Sequence, residues 1–135
     1  MEDLKKCSAV VVDDDNVIRE ILKFILRSGD YPIMGEASNG PDAIALCTKI
    51  QPGLALLDIN MPKMDGLQTL EEIRKVSPAT IVLMVSADST MDKVREAIDK
   101  GAAGFVVKPL NAANILDKIA MCLKSRGLLK SQVLS

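Results

Sequence analysis

Histidine and tryptophan are absent from this 135-residue chain, and aromatic residues make up only 2% of it, one Tyr and two Phe. Without histidine there can be no Ser-His-Asp or Cys-His nucleophile, no His-ligated metal and no internal phosphohistidine relay. The shortage of aromatic rings argues against base stacking on a nucleic acid. No field of one sign exists either: 17 basic and 18 acidic residues leave a formal charge of -1, with no basic footprint for a phosphate backbone. The three cysteines, Cys7, Cys47 and Cys122, are odd in number, widely spaced and set in apolar surroundings, which suits small buried thiols better than disulfides or zinc. The apolar runs fall far short of the roughly 20 residues of a membrane helix, and the first residues lack a signal-peptide core. A cytoplasmic protein with no membrane or direct nucleic acid partner is expected.

What the chain does have is aliphatic residues. Hydrophobic content is 48%, and the length suits one domain that buries roughly two thirds of its unfolded surface. Short apolar runs alternate with helix-length amphipathic segments. Strands are expected at 7 to 13, Ile33 to Ala37, Leu54 to Leu57, Thr80 to Val85 and Phe105 to Val107. Helices are expected from Asn16 to Ser28, after the Asn39-Gly40-Pro41 cap signal, from about Gly66 to Val76, along a Met91, Val94, Ile98 stripe, and from about Asn111. Five βα units of this kind imply an α/β fold with a parallel sheet covered on both faces. The domain is expected to span 1 to 126, with 127 to 135 as a tail or the start of a linker.

Chemistry-bearing residues stand where the apolar runs end. Asp13 and Asp14 follow Val12, Asp58 follows Leu57, Ser86 follows Val85, and Lys108 follows Val107. Open α/β sheets place their sites at the carboxyl ends of strands, so three carboxylates and an ammonium would gather there. Each has a bland reading: Asp and Asn cap helices and make turns, a lone lysine belongs on the surface, and Phe105 belongs in the core. One cap does not account for Asp13, Asp14 and Asp15 in a row, because neighbouring carboxylates repel unless a cation relieves them. Oxygen ligands alone favour Mg2+, with Mn2+ as an alternative, over zinc or copper. Lys108, expected to follow three buried residues and followed by Pro109, would be held at the sheet edge as a point charge. Phosphoryl chemistry here would need another protein's histidine or a small-molecule donor.

The motifs Val11-Val12-Asp13-Asp14, Leu57-Asp58-Ile59-Asn60-Met61-Pro62, Met64-Asp65-Gly66, Val85-Ser86-Ala87 and Val107-Lys108-Pro109, in this order and spacing, resemble a response-regulator receiver domain of two-component signalling, from about Lys6 to Leu123. The resemblance implies a flavodoxin-like, doubly wound five-stranded parallel sheet in the order 2-1-3-4-5, with five helices. It implies that Asp58, facing solvent, accepts a phosphoryl group from a sensor histidine kinase or phosphotransfer protein. Asp13, Asp14, Asp58 and the backbone carbonyl of Asn60 would hold Mg2+. Lys108 and Ser86 would contact the phosphoryl oxygens, Ser86 and Phe105 would form the switch, and Thr90 to Lys124 would meet a downstream effector or, in a phosphorylation-dependent homodimer, a second copy. Three other functions share the architecture. A DNA-binding regulator would require an effector domain beyond residue 124. An aspartyl-phosphate phosphatase needs a second aspartate where Asn60 stands, and a flavin carrier needs aromatic walls.

Overall fold

A computed structural model describes residues 7 to 125. The elements are β1 (Ala9–Val12), α1 (Asn16–Ser28), β2 (Ile33–Ala37), α2 (Gly40–Ile50), β3 (Leu54–Leu57), α3 (Gly66–Val76), β4 (Ile81–Ser86), α4 (Met91–Asp99), β5 (Gly104–Val107) and α5 (Ala112–Ser125). All pairings are parallel and the strand order is β2-β1-β3-β4-β5, as the resemblance implies. The expected tail, 127 to 135, lies outside the described residues. No helix among the described residues is long and apolar enough to cross a membrane.

Side chains alternate across the sheet, so each inner strand feeds two cores. Val11, Leu54, Leu56, Leu83 and Val85 meet Leu22, Leu26, Ile115 and Ile119 of α1 and α5. Val10, Val12, Ala55, Leu57 and Met84 meet Ala43, Leu70, Ile73 and Ala97 of α2, α3 and α4. Both faces of β1, β3 and β4 are therefore dry, which is why these strands read as unbroken aliphatic runs.

Two expectations need correction, and one helix face departs from the rest. The Met91, Val94, Ile98 stripe of α4 lies largely outside the core: Met91 and Ile98 are 70% and 48% exposed, and Ala97 is the one buried residue of that helix. Lys108 does not follow three buried residues, since Val106 is buried but Phe105 is half-buried and Val107 is 46% exposed. Both departures arise because β5 is an edge strand, flanked on one side only, and α4 packs over that margin. The first strand is also shorter than 7 to 13, since its ladder begins at Ala9 and ends at Val12.

Candidate functional site

The strand register builds the site. Val12 lies opposite Leu57, and Leu57 opposite Met84, so Asp13 and Asp58 leave the sheet side by side with Ser86 two residues on. The Asp58 amide donates to the Val12 carbonyl at 3.0 Å, which fixes the two acidic ends together. Ser86 lies opposite Val107, and the Lys108 amide donates to the Ser86 carbonyl at 3.0 Å. Lys108 follows at once, through a cis peptide bond to Pro109.

The triple aspartate divides its labour. Asp15 is the cap of α1, its carboxylate accepting from the amides of Val17 at 2.8 Å and Ile18 at 3.4 Å. Asp13 and Asp14 are left for the cluster, and carboxylate oxygens of Asp13, Asp14 and Asp58 all lie within 4.8 Å of one another. Asp15→Ala is expected to lower the unfolding free energy by about 1 kcal/mol, read as a lower midpoint in a urea titration, while the cluster itself is untouched.

Lys108 spans the two buried carboxylates, its Nζ 3.1 Å from Asp13 Oδ2 and 3.7 Å from Asp58 Oδ2. Asp13 is pinned at every polar atom. Its amide donates to the Ala37 carbonyl, Oδ1 accepts from the Asp15 amide, Oδ2 from Lys108, and its carbonyl from Arg19 Nη1 at 2.6 Å. Asp58 does not face solvent as expected: it is 5% exposed, because β3 is the central strand and the ends of β1 and β4 flank it. Burial, and after it the Asp13 charge, hold the Asp58 carboxyl above the ordinary carboxylate range, while Lys108, the Ile59 amide and the Ser86 hydroxyl pull it back. The exposed member of the trio is Asp14, which leaves the cluster reachable from outside.

Ser86 is fully buried, its hydroxyl accepting from the Asp88 amide at 3.2 Å. Phe105 packs against the core that faces α2 to α4. Asn60 has an exposed side chain in the loop beyond Ile59.

A receiver-domain profile, described as the response regulator receiver domain, matches residues 9–120. The chain belongs to the response-regulator receiver family. It is 36% identical to a chemotaxis protein CheY from Listeria monocytogenes over 85% of this chain and 97% of that protein. Among solved structures it resembles one from a Borrelia burgdorferi complex of CheX, CheY, BeF3 and Mg2+, with TM-score 0.82 and 31% identity over 84% of this chain and 87% of the other. A DNA-binding response regulator of the LuxR family from Staphylococcus aureus gives TM-score 0.80 and 28% identity over 86% and 98%. This receiver domain is thus a module of two-component signalling whose relatives include both CheY-type proteins and transcriptional regulators.

The acidic trio fits a hard divalent cation. It offers oxygen donors only, and two of the three carboxylates are buried against one another, a repulsion that a bound cation would relieve. Sequence reasoning missed Arg19. Its partners, Glu36 at 2.8 Å and the Asp13 carbonyl, lie on another strand and on the loop, so only its place one turn into α1 could have hinted at the contact.

Proposed function

We propose that Asp58 is the phosphoryl acceptor of this receiver domain and that a partner's phosphohistidine is the donor. The observation that carries the reading is the meeting of Asp13, Asp14 and Asp58 with Lys108 in contact with two of them. A carboxylate oxygen of Asp58 forms a bond to phosphorus as the phosphorus–nitrogen bond to the donor imidazole breaks, and the imidazole leaves with the electron pair. Asp13, Asp14, Asp58 and the Asn60 carbonyl would hold Mg2+, for which Mn2+ can substitute, and the cation would neutralise charge on the transferring group. Lys108 leaves its carboxylate partners for the phosphoryl oxygens, and Ser86 donates its hydroxyl to them.

The receiver acts by contact with other proteins and turns over no separate substrate. Val17, Ile21 and Phe24 stand exposed at helical spacing on α1, which starts at the acidic edge, and give a histidine-bearing helix apolar ground beside Asp58. Met91, Ile98, Val107 and Met121, also exposed, lie in the segment from Thr90 to Lys124. That segment is the output face for an effector or a second copy, answering Ser86 and Phe105 when the extra charge arrives. The working compartment is the cytoplasm, where sensor kinases present their phosphohistidines.

Incubation with acetyl phosphate and Mg2+ should add the mass of one phosphoryl group to the intact protein, and EDTA should prevent it. No gain in mass with either Mg2+ or Mn2+ would overturn the assignment.

A further inference from the structure

We propose that Arg19 is a positioning residue for the cation site, holding the β1–α1 loop so that Asp13 and Asp14 meet Asp58 before any ion binds. The inference rests on the reading of the acidic trio as a Mg2+ site.

Three carboxylates forced within 4.8 Å of one another push the loop that carries two of them away from the third. Something must oppose that push in the ion-free protein. Lys108 does so for the side chains of Asp13 and Asp58, but Asp14 has no such partner among the described residues, and there the backbone is what holds it in place. Arg19 acts on that backbone. Its Nη1 donates to the Asp13 carbonyl at 2.6 Å, Nε donates to Glu36 Oε1 at 2.8 Å, and Nη2 donates to Asn16 Oδ1. The guanidinium therefore joins the loop, the first turn of α1 and strand β2 in one planar fork, a geometry that a lysine cannot reproduce. The side chain is 13% exposed, and Glu36 is itself fixed from the other side by Lys23 at 2.7 Å. Lys23 and Arg19 together hold the Glu36 carboxyl below its usual range, so the anchor stays charged.

Positioning and simple charge predict opposite signs. Deleting a cation beside three carboxylates should by charge alone tighten Mg2+ binding. Loss of positioning should weaken it, by about 10-fold if Arg19 resembles the outer partners that orient ligands in other metal sites. The test is the Mg2+ dissociation constant of the full chain by calorimetry, for the wild type, Arg19→Met and Arg19→Lys, with far-UV circular dichroism to confirm folding. Arg19→Met should bind about 10-fold more weakly than wild type, and Arg19→Lys, which can reach one of the three acceptors, should fall between them. Binding by Arg19→Met as tight as or tighter than wild type overturns the proposal. Should Arg19→Met fail to fold, an unchanged constant for Arg19→Lys overturns it. If the wild type itself binds no Mg2+, the cation-site reading falls and this inference with it. Wild-type binding that survives Arg19→Met removes the inference alone.

Discussion

Asp58→Asn should melt at a higher temperature than the wild-type chain in the absence of divalent cations, and should take up no phosphoryl group from acetyl phosphate. Stability and activity part here because the group proposed to accept the phosphoryl is also a carboxylate that the ion-free fold holds buried at a cost. Its carboxyl is held above the ordinary range by burial and by Asp13. A folded-state value above the unfolded one means that protonation favours the fold. That contribution is complete below the unfolded value and is lost as pH rises through the folded one, so at neutral pH the ionised side chain is a net cost. Asparagine keeps the shape and removes the charge, leaving Lys108 paired with Asp13. A gain of about 1 kcal/mol, or roughly 3–6 °C in Tm, is expected. The gap between the variants should close as the pH falls and wild-type Asp58 becomes protonated. It should also close as Mg2+ is added, since the ion stabilises the wild type more. A lower Tm for Asp58→Asn would mean that Lys108 more than compensates burial, and any phosphoryl uptake by it would move the acceptor elsewhere.

Gly66→Ala should disable the protein without touching any charged group. A Cβ at this position would sit 1.9 Å from the Asp58 carbonyl oxygen and 2.6 Å from Ile59 Cα. Both obstacles are backbone, and the Gly66 amide is bound to the Ile59 carbonyl at 2.6 Å, so neither side can retreat without dragging the Asp58 peptide. A loss of about 3 kcal/mol or more is expected in urea titrations. Where the fold persists, the initial rate of phosphoryl uptake should fall about 100-fold, as a displacement near 1 Å in an aligned reaction does. Gly35→Ala is the control, because its nearest obstacle is the tip of the Leu46 side chain at 2.9 Å, which can rotate away. If Gly66→Ala matched that control in stability and rate, the close approach would carry no weight.

The residues that spoke clearly in the sequence are those whose signal is local. The bounds of α1 and α3 follow from Asp15 and Asp65, whose carboxylates accept from first-turn amides, and β3 stands out because Leu54 to Leu57 are buried on both faces. The meeting of Asp13, Asp58 and Lys108 was legible because parallel strands must deliver their ends to one edge. What was not legible depends on neighbours far along the chain. Periodicity marks the apolar face of α4 but not how much of it is covered, and at the sheet margin Met91 and Ile98 stay 70% and 48% exposed. The depth of Asp58 depends on how closely the ends of β1 and β4 flank it. Arg19 reads as an ordinary charged residue on a helix until parallel pairing brings Glu36, 17 residues on, beside it.

The two flanks of the acidic edge are unequally braced. On one, every polar atom of Asp13 is spoken for. On the other, α4 rests on the sheet through the small side chain of Ala97, and β5 has an open margin. The pocket is therefore a vice with one fixed jaw and one sprung jaw: on the proposed reading, new charge at its throat would displace the sprung one, and the message would leave the molecule on that side.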